Sequence, residues 1–202
     1  MSENVSSSAP WIQAIGTVMS AIGSTPLKNM PDQVSKSLNL WGNVLQAAGN
    51  SLQVNQEKQI TLDKVGNQIQ AFGNVTVVAG MVLNISEDTN QKLIITGNWF
   101  QALGGLLAFA DGLDAHPPNA SNTVGNLMQS IGNSLQAVGG VMELEESEKN
   151  KYAIKIKTGE TKESGGNRLD VIGSWIQAIG SVLTAQGGTK KLKYRIIQKF
   201  MD

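Results

Sequence analysis

Few residues of this chain could bind a metal or take part in catalysis, and three of them lie close together in the segment DGLDAHPP. They are Asp111, Asp114 and His116. Two carboxylates and an imidazole could bind a divalent cation. However, His116 is the only histidine and the chain has no cysteine, so the usual ligands of a zinc site are lacking. We therefore interpret the segment as a polar helix end before Pro117 and Pro118, and we expect no catalytic residue, no metal and no cofactor.

Composition limits the function further. The 202 residues include 16 Lys plus Arg and 16 Asp plus Glu, so the net charge at pH 7 is zero. Such a chain has no overall field that would attract nucleic acid, and we expect no nucleic-acid partner. The N-terminal segment MSENVSSSAP lacks the basic start and the apolar run of a secretory signal. This predicts a protein that is cytoplasmic as synthesised, with non-classical release as the alternative.

The main feature of the chain is a block of eight residues that occurs six times. Every copy has Gln at its fifth position and Gly at its eighth. The copies read APWIQAIG from Ala9, GNVLQAAG from Gly42, GNQIQAFG from Gly66, GNWFQALG from Gly97, GNLMQSIG from Gly125 and GSWIQAIG from Gly173. The shared glutamines are Gln13, Gln46, Gln70, Gln101, Gln129 and Gln177. We expect them to lie on an amide face of a repeated element.

Glycine also recurs at intervals of seven residues, which is two helical turns. At about 100° per residue, the large apolar residues fall on one face of a helix and the amides on the opposite face, with Gly on one flank and Ala on the other. Glycine inside a helix costs about 1 kcal/mol relative to alanine, so we expect close helix packing to compensate. The predicted seam glycines are Gly16, Gly23, Gly42, Gly49, Gly66, Gly73, Gly80, Gly97, Gly104, Gly125, Gly132, Gly139, Gly173, Gly180 and Gly187.

These patterns predict an all-helical, or nearly all-helical, repeat bundle of six antiparallel helices in a layer or ring. Each helix should contact its two neighbours through Gly and Ala. The aliphatic residues should point inward and the amides outward, or the reverse if the protein lies in lipid. A β-solenoid is the competing fold, but the copies are unequally spaced and their core positions hold Leu, Ile, Met and Ala.

Tryptophan occupies regular positions in the repeat. Trp11, Trp99 and Trp175 share one position of the block, and Trp41 directly precedes its block. We interpret these side chains as core filling, because a large residue at a regular helical position usually has that role. Anchoring at a membrane interface is the alternative.

The chain is predicted to be a single domain, 1–202, in which each repeat falls within a stretch free of Asp, Glu, Lys and Arg. The repeats lie near 9–24, 38–56, 62–84, 92–113, 121–144 and 168–188. The uncharged stretches contain 18 to 28 residues, which is about the length that crosses a bilayer as a helix. Their many Asn and Gln residues nevertheless lower the hydropathy, so hydropathy alone does not identify these stretches as membrane-spanning helices.

Two charged segments fall outside the repeats: an insert at 143–166 and a basic tail at 190–202, which we interpret as a solvated tail. The insert could extend the fifth helix, supported by a pair between Glu145 and Lys149. The alternation of Tyr152, Ile154 and Ile156 slightly favours a strand instead. A small β element would then form between 151–157 and 191–197, where Leu192, Tyr194 and Ile196 also alternate.

At its G-N-W-x-Q-A-x-G blocks, the chain resembles small repetitive proteins of unknown function from spore-forming Gram-positive bacteria. The resemblance spans roughly residues 9 to 188 and implies no activity and no functional residues.

The sequence leads to two hypotheses about function. We expect a non-enzymatic structural or interaction protein that associates with further copies of itself, with amide faces meeting between subunits. The alternative is a membrane-inserting or pore-forming protein, in which Asn and Gln line a lumen and aliphatic residues face lipid. A second copy of the chain is the expected partner, and a membrane is the alternative partner.

Overall fold

The computed structural model describes residues 3–56, 59–152 and 165–201. These residues form six α-helices and no strand, which confirms the predicted all-helical fold. The helices are α1 (Glu3–Ser24), α2 (Asp32–Gln56), α3 (Leu62–Val82), α4 (Glu87–Leu113), α5 (Ala120–Tyr152) and α6 (Gly165–Met201).

Polar side chains satisfy the free N–H groups at the start of several helices. Thr61 accepts a hydrogen bond from the backbone of Lys64 at 3.0 Å, at the start of α3. Ser86 has the same role at the start of α4, where it accepts from the backbone of Thr89 at 3.3 Å. Such caps fix where a helix begins, so the polar turns of the sequence divide the chain into hairpins.

The six helices form a closed ring. Each helix packs against its neighbours in sequence order, and α6 returns to pack against α1. Within the described residues, the backbones of helices that are not neighbours stay apart. Neighbours run antiparallel, because Gly16 of α1 meets Gly42 of α2 whereas the later Gly23 meets the earlier Ser35.

The strand predicted at 191–197 is wrong, because these residues belong to α6, which continues to Met201. Of its proposed partner segment, Lys151 and Tyr152 end α5, and 153–157 lie outside the described residues. The first part of the charged insert instead extends α5, and Lys149 Nζ lies 3.7 Å from a Glu145 carboxylate oxygen one turn away. The helix therefore continues into the insert, and this exposed pair is the i,i+4 contact that the sequence suggested for such an extension.

The ring is polar inside and apolar outside, so the expectation of an aliphatic interior is wrong. The largest fully buried side chains are glutamines, and the buried apolar residues are alanines except for Val77 and Ile95. The amides point inward because of the angle between the Gly flank and the Ala flank of each helix. In a ring of six, the directions from one helix to its two neighbours are about 120° apart on the inner side, close to the roughly 140° between Gly and Ala around the helix. The amides lie between those flanks and therefore face inward.

Candidate functional site: the amide core of the ring

Glycine brings the two helices of each hairpin, α1–α2, α3–α4 and α5–α6, into backbone contact. A Cβ atom added to Gly132 would lie 2.5 Å from the carbonyl oxygen of Gly173 and 2.6 Å from the backbone nitrogen of Gln177. A Cβ atom on Gly73 would lie 2.6 Å from the carbonyl oxygen of Gly97. Such distances leave no room for a side chain. Fourteen of the fifteen predicted seam glycines lie this closely against the other helix of their hairpin, and Gly187 lies against Asn119 and the start of α5.

Small polar residues join one hairpin to the next. The Ser130 hydroxyl on α5 donates to the carbonyl oxygen of Ala102 on α4 at 2.8 Å. The hydroxyls of Thr17 on α1 and Ser181 on α6 are hydrogen-bonded to each other where the ring closes. The repeat glycines therefore form the seams within hairpins, whereas Ser and Thr hydroxyls bridge the seams between hairpins, where Gly105 also packs against Ser130.

The six repeat glutamines fill the centre of the ring in two layers of three, and each of them is 1–4% exposed. The first glutamine layer comes from α1, α3 and α5. In it, Gln13 Nε2 donates to Gln70 Oε1 at 3.2 Å and to Gln129 Oε1 at 2.7 Å. The second glutamine layer comes from α2, α4 and α6. There Gln177 Nε2 donates to Gln46 Oε1 at 2.8 Å and to Gln101 Oε1 at 3.2 Å.

Each layer is also tied to the wall of the ring. Gln53 Nε2 donates to Gln13 Oε1 at 3.0 Å, and Gln136 Nε2 donates to Gln177 Oε1 at 3.1 Å. These two glutamines lie seven residues after a repeat glutamine of their own helix. The layers are therefore held in place by a second set of amides and close the interior across its width.

Some buried amide atoms keep hydrogen-bonding capacity. Within the described residues, the side-chain atoms without a partner include Gln101 Nε2, Asn50 Nδ2 and both polar atoms of Asn133. An unsatisfied buried donor or acceptor costs about 1–3 kcal/mol. These atoms are the places in the described core where the protein itself supplies no hydrogen-bond partner.

A cavity of about 170 Å³ lies next to the second glutamine layer, and we call it the vestibule. It is at the end of the ring where α1, α3 and α5 end and α2, α4 and α6 begin. Its lining is mostly polar and includes Ser20, Ser24, Asn39, Asn43, Gln46, Gln91, Asn98, Gln101, Gln136 and Gln177. Val77, Met81 and Ile94 form an apolar part of the wall, and Glu143 and Asp170 supply its carboxylates.

The two vestibule carboxylates lie at the ends of uncharged stretches of α5 and α6. Burial is the main cause that raises the pKa of Glu143 above its ordinary value, and the nearby Asp170 and Glu146 carboxylates add to it. Burial also raises the pKa of Asp170, although a hydrogen bond with Ser24 opposes the shift. Both groups are therefore less easily ionised than carboxylates in water.

Large apolar side chains cover the outside of the ring. All four tryptophans are at least 38% exposed, and Trp41 reaches 59%. The interpretation of tryptophan as core filling is therefore wrong, because the aliphatic face on which it lies points away from the ring axis. Two indole N–H groups remain hydrogen-bonded to the protein: Trp11 donates to Thr189 at 3.1 Å and Trp175 donates to Thr25 at 2.9 Å.

Residues 4–185 match DUF6944, a family of unknown function. The chain belongs to the DUF6944 family. The match contains all six blocks and therefore the whole amide core. No curated protein and no solved structure matches the chain.

In this DUF6944 chain, the segment DGLDAHPP begins in the last turn of α4, at Asp111, and continues into the connection between α4 and α5. Asp111 Oδ1 accepts a hydrogen bond from the backbone nitrogen of Leu62 at 3.1 Å, so it helps to hold the start of α3. The described residues contain no group of three or more His, Asp and Glu side chains that could hold a metal ion.

Sequence reasoning missed three kinds of residue in this DUF6944 core. Gly166 is a further seam glycine, because a Cβ atom added to it would lie 2.5 Å from the carbonyl oxygen of Gly139. Its position seven residues before Gly173 could have indicated this role. Gln53 and Gln136 follow repeat glutamines at the same interval. Glu143 and Asp170 carried no such signal, because their meeting depends on how α5 and α6 align.

Proposed function

We propose that this protein inserts into a membrane as a six-helix barrel, with its amide core as a gated path for small polar solutes. The observation that carries the proposal is that all six helices expose large apolar side chains. They include Trp11 and Ile15 on α1, Val34 and Trp41 on α2, Phe72 and Val75 on α3, Trp99 and Leu103 on α4, Ile131 and Val138 on α5, and Ile172 and Ile179 on α6.

Lipid is the environment that suits such a surface. Monomeric proteins in water rarely expose apolar patches larger than a few hundred Å². An apolar exterior around the whole ring needs a partner on every side, and lipid provides one. Polar side chains in a membrane face the bundle interior, which is where the amides of this ring lie.

The dimensions of the ring also agree with a bilayer. The shortest helix, α3, has 21 residues, which corresponds to about 31 Å of helix and to the roughly 30 Å of a hydrocarbon core. The uncharged stretches lie side by side, and the charged side chains of the described helices gather near the two ends of the ring. Taken alone, α4 is the described helix that is long and apolar enough to cross a membrane. The inward-facing amides lower the mean hydropathy of the other five.

The two glutamine layers act as the gate of the proposed path. With both layers hydrogen-bonded across the axis, the interior is closed between the vestibule and the opposite end of the ring. Opening requires the glutamine side chains to exchange partners along the wall, where Ser20 and Thr184 already accept from Gln46 and Gln129 at 3.2 and 3.0 Å.

Vesicle flotation and tryptophan quenching test the insertion. We expect the protein to float with liposomes at high salt, and lipids brominated in the acyl chain to quench the tryptophan fluorescence. Quenching should persist in a variant that keeps Trp41 alone and has Phe at the other three positions. Protein that stays at the bottom of the gradient, or fluorescence indifferent to brominated lipid, would contradict the proposal.

Self-association in water is the second candidate function. The exposed residues Trp99, Leu103, Leu106 and Leu113 follow one another on α4 at intervals of four, three and seven residues, the spacing of a coiled-coil seam. A second copy packed on this stripe would cover one side of the ring. Sedimentation velocity without lipid or detergent should then show a defined oligomer that Leu103→Lys with Leu106→Lys dissociates. A monomeric parent protein would rule out this candidate.

A further inference from the structure

We propose that the vestibule is a binding site for a small organic ammonium ion. The site lies inside the ring, so the inference concerns a ligand of the core and does not require the ring to be in a membrane. The expected ligand carries one ammonium group and a short alkyl chain that ends in a hydroxyl group.

The size of the vestibule sets the size of the ligand. Its volume of about 170 Å³ exceeds what a bare ion fills. An apolar cavity of about 150 Å³ is known to hold a benzene molecule. A ligand of several non-hydrogen atoms therefore fits between the second glutamine layer and the mouth of the ring.

The charge of the lining favours a cation. Glu143 and Asp170 are both lining residues, and no Lys, Arg or His is among the described residues of the lining. Within the described part of the chain, neither carboxylate takes part in an ion pair. Two partly desolvated carboxylates without a positive partner gain most from a cation that enters the cavity.

The uncharged part of the lining favours an organic ammonium ion over a metal ion. Val77, Met81 and Ile94 offer apolar contact to an alkyl chain, which a hydrated metal ion cannot use. Gln101 is 2% exposed and lines the vestibule, and its Nε2 has no partner within the described residues. The Nε2 atom itself lies just beneath the cavity surface, and rotation of the Gln101 amide towards the vestibule would let this donor meet the hydroxyl oxygen of the ligand.

A titration with protonated 3-aminopropanol tests the proposal, with propionate and propane-1,3-diol as anionic and neutral probes of similar size. Isothermal calorimetry and ligand-observed NMR on the full chain in detergent provide the readout. We expect millimolar or tighter binding of the ammonium probe and at least tenfold weaker binding of the other two. Equal binding of the three probes, or no binding of the ammonium probe at tens of millimolar, would overturn the proposal.

Matched variants locate the site. Glu143→Gln with Asp170→Asn should weaken binding of the ammonium probe at least tenfold, whereas Glu148→Gln, exposed on the same helix, should leave it unchanged. Glu143→Gln alone gives a second, milder test, and each variant must keep the circular dichroism spectrum of the parent. Unchanged binding in the folded double variant would show that the vestibule is not the site. Displacement of the probe by equimolar sodium or calcium would overturn the assignment to an organic ammonium ion.

The pH dependence provides an independent readout. Protons compete with the cation for Glu143 and Asp170, and Glu146 is the further carboxylate that acts on Glu143. Affinity should therefore fall as the pH is lowered, and the double variant should lose this dependence. Flotation with liposomes is measured separately, so failure of the binding site and failure of membrane insertion give different results.

Discussion

Glutamine fills the centre of this ring, a position that apolar residues such as leucine usually occupy in helical bundles. The side chain of Gln177 donates to two glutamines of its layer and accepts from Gln136. Buried amides are tolerated when their partners are in place, because each unpaired group costs more than a hydrogen bond contributes. The layers therefore define the arrangement of the six helices as well as filling the space between them.

Replacement of Gln177 by alanine should be strongly destabilising. The substitution removes three hydrogen bonds and leaves polar atoms of Gln46, Gln101 and Gln136 without this partner. We expect a loss of about 3 kcal/mol in the free energy of unfolding, which lowers the melting temperature of a chain of this size by about 10 °C. Thermal circular dichroism measures the change. Gln186→Ala, at an exposed position of the same helix, is the control and should melt as the parent does.

Gly132→Leu should break the seam between α5 and α6. Since even a Cβ atom at this position would lie 2.5 Å from the carbonyl oxygen of Gly173, the two backbones must separate. Overpacking of this kind costs about 3 kcal/mol or more, so we expect a large drop in melting temperature or no folded protein. Ile131→Leu, at the exposed neighbouring position, is the matched control. Equal melting of Gly132→Leu and the parent would show that the seam is not tight.

The helices and their seams were predictable from the sequence, but the direction of their faces was left open between an apolar and a polar interior. The seven-residue spacing of Gly16 and Gly23 indicated close helix packing, and both glycines do face α2. The inward face of each helix follows from the angle between its Gly and Ala flanks once a closed ring is assumed. Without that geometry, the pattern alone fits an apolar interior in water and a polar interior in lipid equally. The vestibule depends on the alignment of separate hairpins, which no repeat pattern specifies.

The packing of α5 against α6 should make stability depend on pH. Folding raises the pKa of both Glu143 and Asp170, mainly through burial. A raised pKa in the folded state means that stability is fully present below the ordinary pKa and is lost as the pH rises through the folded value. The melting temperature should therefore rise as the pH is lowered from above the raised pKa values of these two carboxyl groups towards their ordinary values. In Glu143→Gln with Asp170→Asn the rise should be smaller, and an identical profile would contradict this account.

All six helices expose large apolar side chains, and together they surround a polar axis. Among the described helices, α4 alone is long and apolar enough to cross a membrane, so the proposed membrane surface depends on all six helices closing into a ring. For such a ring, the outward-facing residues indicate a membrane environment better than the average hydropathy of each helix does.

A charge on the outer surface should weaken membrane binding. Trp41 is 59% exposed and lies within an uncharged stretch of α2. A lysine costs about 2.5–3.5 kcal/mol at the centre of a membrane-spanning helix and less towards the end of the uncharged stretch, where Trp41 lies. Trp41→Lys should therefore reduce partition into liposomes by about tenfold or more. Trp41→Leu is the control and should partition like the parent. Equal partition of Trp41→Lys and Trp41→Leu would place this face outside the lipid.

The closure of the ring between α1 and α6 has a consequence for biosynthesis. Five of the six helix contacts join neighbours in sequence and can form while the chain is still being made, one hairpin after another. The contact between Thr17 and Ser181 joins the first helix to the last, so it must wait until α6 has been synthesised. Until then the amides of a partial ring lack some of their partners, and a truncated or stalled chain would leave them exposed. The last helix therefore completes the hydrogen-bonded core, and a chain without it cannot close the ring.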